Sequence, residues 1–250
     1  MVSESLREKY GEKLVALGES HKEIVVLDAD LSSSTRTGMF GKKFPERFFN
    51  MGISEQSMVT AAAGLALSGK KAFVSTFAVF LTRTYEQIRQ SVCYNNIDVK
   101  FVVTHPGITV GEDGATHQII EDTGIMCGLP NMKVIVPADT VEVSSLMDYL
   151  VDKTRTPYYV RLSREKFPVV NQPDYTFIEG KNTVLRDGAD LTIFCNGSMV
   201  GHALNAAEEL KQQAIDAAVI NVSSMKPLDR ENIIKYAKST GHILTAIFCC

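Results

Sequence analysis

The sequence lacks the features that would assign it to a membrane or nucleic-acid-binding class. No apolar run approaches the roughly 18 residues needed to cross a bilayer, and no run of Lys and Arg exceeds two residues. The net charge is −3, so the chain has no excess of positive charge with which to bind nucleic acid. The first residues are charged rather than apolar, so we expect no secretory signal peptide. We therefore predict no membrane span and no nucleic-acid partner.

Cysteine is also scarce, and its arrangement argues against a disulfide framework. The chain has five cysteines, an odd number, and no C-x-x-C pair. Free thiols in a reducing cytoplasm are the simplest interpretation. The 250 residues, of which 45% are apolar and 22% charged, are typical of a globular protein with one large or two ordinary domains.

Short apolar segments alternate with helical patterns along the first two thirds of the chain. This alternation predicts an α/β fold with a mostly parallel sheet covered by helices on both faces. The predicted strands are 24–27, 48–50, 72–75, 100–104, 133–136 and 158–162. The predicted helices are 3–20, 52–67 with Ser54 as its N-cap, 77–94, 121–127 and 141–152.

A second, smaller α/β unit is predicted after a segment that shows no periodicity. We predict a first domain over 1–164, a linker over 165–189 and a second domain over 190–250. Strands 191–195, 217–222 and 242–246 alternate with helices 198–212 and 230–238 in this second domain. Because a doubly wound domain needs more than three strands, and the sequence stops at Cys250 without a closing helix, we expect this domain to be truncated.

Four features at predicted strand ends could serve either function or structure. The loop 105–118 has a histidine near each end, with three glycines and two acids between them. It could bind a ligand or be an ordinary glycine-rich connection. Glu55 could be a functional acid or a capping acid in a first helical turn. Phe77 and Phe80, three residues apart, could face a ligand or the core. The stretch 28–34 could face a ligand or form a turn rich in Asp and Ser.

Taken together, the motifs resemble the pyrimidine-binding domain of transketolases. Their order and spacing match that domain. The resemblance covers essentially the whole chain, which looks like the C-terminal half of transketolase encoded as a separate subunit. The matching motifs are Gly52-Ile-Ser-Glu55-Gln, Ser75-Thr-Phe77-Ala-Val-Phe80 and Gly111-Glu-Asp-Gly-Ala-Thr-His117-Gln, with Asp28-Ala-Asp-Leu and Leu162-Ser-Arg164 in support. The implied fold is the thiamine diphosphate pyrimidine-binding fold, followed by part of the transketolase C-terminal domain.

The resemblance implies a role in cofactor binding for four residues. Thiamine diphosphate requires a carboxyl group at N1′ of its aminopyrimidine, and this role falls to Glu55. Phe77 and Phe80 are implied as walls against the pyrimidine ring, and Asp30 as a further cofactor contact.

The resemblance also implies substrate contacts. His105 and Asp113 are implied for hydroxyl groups of the donor sugar, and His117 for hydroxyl contact and proton transfer. With Glu55, the two histidines form the expected catalytic set.

A phosphate site is implied as well. Arg164, with Ser34 and Arg7, would hold the phosphate of a sugar phosphate, for which a planar guanidinium is well suited.

The chain lacks the Gly-Asp-Gly and following Asn that hold Mg²⁺ and the diphosphate in full-length relatives. The resemblance therefore implies a separate N-terminal subunit that carries these ligands, with no metal site on this chain, and an assembly of two heterodimers.

Three alternatives stay open. The 1-deoxyxylulose-5-phosphate synthases and the β subunits of 2-oxoacid dehydrogenases share this domain. The synthases usually lack a histidine at His105, and the dehydrogenase subunits lack the motif that contains His117. A non-catalytic, truncated paralogue that only binds a partner is the third.

Overall fold

The computed structural model describes residues 2–247, which form strands and helices numbered here along the chain. The strands are β1 (Ser3–Ser5), β2 (Ile24–Asp28), β3 (Phe48–Asn50), β4 (Lys71–Ser75), β5 (Val99–Thr104), β6 (Lys133–Ile135), β7 (Tyr158–Leu162), β8 (Lys166–Pro168), β9 (Thr183–Arg186), β10 (Leu191–Cys195), β11 (Ala217–Asn221), β12 (Ser224–Lys226) and β13 (Ile243–Ala246). The α-helices are α1 (Leu6–Ser20), α2 (Ser32–Thr35), α3 (Gly38–Lys43), α4 (Glu55–Leu67), α5 (Ala78–Thr82), α6 (Tyr85–Gln87), α7 (Asp122–Cys127), α8 (Thr140–Asp152), α9 (Met199–Gln212) and α10 (Arg230–Thr240).

A seven-stranded sheet organises the first part of the chain. Its strand order is β12-β6-β7-β5-β4-β2-β3, and every pairing is parallel except that of β12 with β6. This confirms the predicted mostly parallel sheet. The inner strands β2, β5 and β7 are buried on both faces because helices cover each side, whereas the edge strands β3 and β12 are partly exposed.

Alternate strand residues enter two separate cores, one on each face of this sheet. On one face, Val25 and Val74 pack with side chains of α4, α5 and α7. On the other face, Val26 and Phe73 pack with side chains of α1, α3 and α8. Because successive side chains of a strand point to opposite faces, one apolar run supplies both cores.

The second unit is a smaller sheet with the strand order β13-β10-β11-β9, which confirms a second, smaller α/β unit. Strand β10 pairs in parallel with β11 and β13, as the alternating pattern predicts. Strand β9 pairs antiparallel with β11 and raises the number of strands in this sheet above the predicted three. The predicted truncation concerns the end of the chain, and the last three residues lie outside the described residues.

The segment 165–189, predicted as a linker without regular structure, contains two strands. Strand β8 pairs antiparallel with β1, and β9 belongs to the second sheet. Phe167 and Phe177 are buried in the same core as α1 and α8. These two phenylalanines anchor the segment to the first unit, so it packs against the fold as well as connecting the two units.

Two predicted helices differ from the structure. Helix α1 begins at Leu6 rather than at residue 3, because the preceding residues form β1 and the Ser5 hydroxyl accepts a hydrogen bond from the Glu8 amide at 3.4 Å. The predicted helix 77–94 is divided into α5, α6 and a π-helical segment, Ile88–Cys93. The hydroxyls of Thr82 and Thr84 donate to carbonyls three residues earlier and compete with regular helical bonding there.

Candidate active site

The predicted functional residues follow adjacent strands of the large sheet at its carboxyl edge. Arg164 follows β7, His105 follows β5, and Phe77 follows β4. Asp30 follows β2, and Glu55 begins the helix after β3. These strands are neighbours in the order β7-β5-β4-β2-β3, so their loops line one edge, where ligands of parallel α/β proteins bind.

An aromatic cluster occupies the centre of this edge. The rings of Phe77 and Phe80 stack with centroids 5.6 Å apart and an interplanar angle of 10°. The His105 ring stacks on Phe77 at 3.7 Å, and the His117 ring meets Phe80 edge-on at 5.2 Å. A backbone bridge between Phe77 and Thr104 brings the ends of β4 and β5 together, so the aromatic cluster is fixed by the sheet.

His105 is held as a neutral ring. It is only 2% exposed, and its Nδ1 lies 2.9 Å from the Thr104 hydroxyl. Burial, together with the nearby Arg7, Arg164 and His117, lowers the pKa of His105 to about 3. The backbone φ of 56° lies in the left-handed region, which is uncommon outside glycine and found most often at functional sites. A neutral imidazole can offer its other nitrogen to a substrate hydroxyl.

The glycine loop is closed on itself and packs against Arg164. Gly107 and Ile119 exchange backbone hydrogen bonds of 2.7 and 3.2 Å, which join the two ends of the loop. Gly111 and Gly114 have φ values of 73° and 75°. A Cβ at Gly111 would lie 2.3 Å from the Arg164 guanidinium, so only glycine allows this close approach.

A group of guanidinium side chains lies beside the glycine loop. Arg7 donates from Nη1 to the Ser34 carbonyl at 2.7 Å and from Nη2 to the Arg164 carbonyl at 3.2 Å. Burial, followed by the charges of Arg36 and Arg164, lowers the pKa of Arg7, while Asp113 acts in the opposite direction. The structure therefore brings Arg7, Arg164 and the Ser34 carbonyl together, with Asp113 and Arg36 close enough to act on the charge of Arg7.

Glu55 lies at the N-terminus of α4 and is 5% exposed. Within residues 2–247 its carboxylate makes no hydrogen bond or ion pair. Ser54 occupies the N-cap position of α4, as predicted, but its side chain makes no capping hydrogen bond. The next residue, Gln56, donates to the Arg83 carbonyl at 3.5 Å and so ties the first turn of α4 to the end of α5.

Asp30 is exposed and lies apart from the aromatic cluster. Its backbone amide donates to Asn50 Oδ1 at 3.2 Å, and Asn50 Nδ2 donates back to its carboxylate at 3.2 Å. Asn50 Oδ1 also accepts from the Gly52 amide at 3.0 Å, so this side chain joins the turns that hold Asp30 and Glu55. Asp28 is fully buried, and its carboxylate accepts hydrogen bonds from Leu31, Thr35 and Thr37 in the turn that follows it. Asp28 itself therefore has a structural role in the stretch 28–34.

The structure thus assembles most, but not all, of the predicted set. No hydrogen bond, ion pair or ring contact among residues 2–247 joins Glu55 or Asp30 to the aromatic cluster or to the arginines. Sequence reasoning overlooked Asn50, Arg36 and Glu112. Only Asn50 carries a local signal, an Asn two residues before a turn glycine.

Among residues 2–247, the structure shows neither a cluster of metal-ligating side chains nor a helix that could span a membrane. No group of three or more His, Cys, Asp or Glu side chains between residues 2 and 247 is arranged to hold a metal ion. None of the helices in that range has the length and apolar character that crossing a membrane requires.

Comparison with known proteins identifies the class to which this fold and site belong. The family described as "Transketolase, pyrimidine binding domain" matches residues 3–169, and "Transketolase, C-terminal domain" matches residues 180–246. The chain therefore belongs to the transketolase family.

Similar proteins include both separate subunits and full-length enzymes. A protein of Methanocaldococcus jannaschii described as a transketolase C-terminal section is 47% identical over 95% of this chain and 75% of its own length. A structure titled "Split gene transketolase, inactive beta4 tetramer" superimposes with a TM-score of 0.89 at 47% identity, over 97% of this chain and 79% of the other. Transketolase from Campylobacter jejuni gives a TM-score of 0.88 at 26% identity, over 98% of this chain and 39% of its own.

Proposed function

We propose that this chain is the pyrimidine-binding subunit of a thiamine diphosphate-dependent transketolase. It transfers a two-carbon ketol unit between sugar phosphates after assembly with an N-terminal subunit. That partner holds the diphosphate and Mg²⁺, and the complex contains two heterodimers.

One observation carries this proposal. Glu55 is 5% exposed at a helix N-terminus, and its carboxylate has no polar partner among residues 2–247. A buried charged group is costly unless it is paired or hydrogen-bonded, so an unpartnered carboxylate at a ligand-binding edge suits a ligand that supplies the partner. A ring nitrogen of an aminopyrimidine is such a partner, and the stacked Phe77–Phe80 pair offers aromatic surface for the ring. The residues present therefore fit the pyrimidine half of thiamine diphosphate.

When bound, thiamine diphosphate would supply the nucleophilic carbon of its thiazolium ring. Glu55 would hold N1′ of the aminopyrimidine, and Asp30 would be a further cofactor contact. The neutral His105 and the neighbouring His117 would bind donor hydroxyls, with His117 moving a proton. Asp113 would accept a hydrogen bond from a donor hydroxyl.

At the other end of the substrate, the phosphate would be held by Arg164, with Arg7 and Ser34 contributing. A planar guanidinium gives bidentate hydrogen bonds to phosphate, which an ammonium does not. Arg7 is already held by two carbonyl groups, so it would contribute mainly charge.

The names of similar proteins support a partner subunit. Relatives from Clostridium sp. and Phocaeicola vulgatus are named as transketolase subunits, for 6-deoxy-6-sulfo-D-fructose and for apulose-4-phosphate, at 37% and 38% identity. The similar split-gene structure, which contains only the β chain, is described as inactive. We infer that this chain alone self-associates, is inactive and binds the cofactor weakly.

Reconstitution tests the proposal. The chain is purified alone and with a candidate N-terminal subunit that carries Gly-Asp-Gly and the following Asn, and ketol transfer is measured with several phosphorylated and sulfonated sugars. Activity that requires both chains, thiamine diphosphate and Mg²⁺ is the expected result. Tight Mg²⁺-dependent cofactor binding by the isolated chain, measured by calorimetry, would contradict the division of the site.

A further inference from the structure

The Arg164 guanidinium already has an anionic partner from the glycine loop. Its Nη2 donates to Glu112 Oε1 at 2.7 Å, and this is the ion pair that the structure shows between the loop and the arginine group. The Glu112 side chain is 80% exposed and that of Arg164 is 31% exposed. The carboxylate thus approaches the guanidinium from the solvent side, the direction from which a substrate phosphate would come.

The surroundings of Arg164 favour an anion with more charge than one carboxylate. Arg36 and Arg164 both lie close enough to Arg7 to lower its pKa, so three guanidinium groups lie near one another. Arg36 is paired with Glu8 at 3.0 Å, and Arg7 is bonded to two carbonyls, so both are fixed in place. Of the three guanidinium groups, Arg164 is the one whose acidic partner belongs to the glycine loop.

The geometry of the contact makes it displaceable. Glu112 reaches Arg164 through a single hydrogen bond, whereas a phosphate can form two parallel bonds with a guanidinium. An exposed ion pair is weak because water and salt screen it. A phosphate monoester carries a charge of about −1.5 to −2 near neutral pH, so it competes well with one carboxylate.

We propose that Glu112 is an intramolecular stand-in for the substrate phosphate, which occupies Arg164 until a phosphate displaces it. This inference rests on the proposed function in taking Arg164 as the phosphate-binding residue. Glu112 then acts as a specificity-determining residue. Weakly bound or singly charged anions displace it less readily than a phosphate dianion does. Displacement also releases the tip of the glycine loop from Arg164 when substrate binds.

Binding of inorganic phosphate to the full chain tests this inference without turnover. Phosphate is titrated into wild type, Glu112→Gln and Glu231→Gln by NMR, following the Nε–Hε resonance of Arg164, which is assigned with Arg164→Lys. Glu231 is an equally charged, 93% exposed glutamate on α10, so its replacement makes the same change in net charge. We expect Glu112→Gln to bind phosphate about 1.5- to 5-fold more tightly, the range given by exposed ion pairs, and Glu231→Gln to match wild type.

The Arg164 resonance separates displacement from a general charge effect. Without phosphate it should differ between wild type and Glu112→Gln, and at saturating phosphate the two should converge because Glu112 has left in both. A difference that persists at saturation, or equal tightening in both glutamine variants, would overturn the proposal. So would unchanged affinity in Glu112→Gln.

The outcome is distinguishable from failure of the proposed function. If reconstitution gives no ketol transfer but the phosphate results hold, the phosphate site stands and the reaction assignment fails. If transfer is observed but Glu112→Gln leaves phosphate affinity unchanged, the reaction stands and the role of Glu112 is wrong.

Discussion

The Glu55→Gln substitution separates a catalytic role from a role in capping the helix. Glu55 is 5% exposed and has no hydrogen-bond or ion-pair partner among residues 2–247, so the change removes a charge without breaking a structural bond. A carboxylate in a first helical turn contributes about 0.3–1 kcal/mol through the helix dipole. We therefore expect the free energy of unfolding to change by no more than about 1 kcal/mol.

The effect on turnover should be far larger. A positioned group that takes part in proton transfer contributes about 10²- to 10⁴-fold to rate. In the assembled enzyme, with thiamine diphosphate and Mg²⁺ saturating, we expect Glu55→Gln to lower kcat by at least about 100-fold. The matched control is Glu231→Gln, which replaces an acid in the first turn of α10 and should leave kcat unchanged.

Unfolding in urea and initial rates of ketol transfer are measured on the same preparations. If Glu55→Gln keeps kcat within about threefold of wild type, Glu55 is a capping acid and its proposed cofactor contact is wrong. The reasoning would also be refuted if activity were lost together with a large loss of stability. Among residues 2–247, Glu55 makes no hydrogen bond or ion pair that the substitution could break.

Two further substitutions test the substrate and the electrostatics of the site. Arg164→Ala should raise KM for phosphorylated sugars about 10- to 150-fold, since a hydrogen bond to a charged group contributes about 1.5–3 kcal/mol, and leave KM for unphosphorylated sugars nearly unchanged. Equal losses on both, or a similar loss in the exposed Arg89→Ala control, would contradict a phosphate role. Because the pKa of His105 falls from 6.5 to about 3 on folding, the unfolded chain binds a proton between these two pH values and the folded chain does not. Stability should therefore decrease as pH falls from about 6.5 toward 3. His105→Phe should flatten this decrease in urea midpoints, whereas the exposed control His202→Phe should not.

Local pattern was enough to predict the large parallel sheet and most of its edge residues. Strand 24–27 is a continuous apolar run because both faces of the sheet are covered there, and such a run is visible in one sequence. Motif spacing then placed Phe77 and His105 after neighbouring strands. The contact between their rings follows from strand order, which the sequence did not specify.

What the sequence could not predict depends on contacts between distant segments. Strand β1 is polar, Ser-Glu-Ser, and exists because β8 pairs with it from the far end of the first unit. Strand β12 leaves the second unit to join the first sheet beside β6. Asn50 acts through hydrogen bonds across a turn, and Arg36 acts through its charge on Arg7. A periodic pattern in the sequence does not predict such contacts.

Glu142 is the buried residue that joins the two units. It is fully buried on α8, and burial raises its pKa. Its Oε2 accepts from the Ala138 amide at 2.8 Å and from Asn221 Nδ2 at 3.0 Å. Its Oε1 accepts from the Tyr175 hydroxyl at 2.9 Å. One carboxyl group therefore connects the first unit, the segment 165–189 and the end of β11.

Glu142→Ala should loosen the second unit while the first keeps its fold. The change leaves two buried donors, the Ala138 amide and Asn221 Nδ2, without this acceptor, and each costs about 1–3 kcal/mol, so we expect a loss of about 2 kcal/mol or more in the free energy of unfolding. The segment 165–189 is held by β8, β9 and two buried phenylalanines, so in wild type it should resist limited proteolysis. In Glu142→Ala, cleavage identified by mass spectrometry should begin within this segment and leave a resistant first unit. Glu208→Ala, which removes an exposed glutamate from α9, should behave as wild type. If Glu142→Ala kept the wild-type urea midpoint and cleavage pattern, the two units would be held together by their other contacts, such as the pairing of β12 with β6, and not by this carboxyl group.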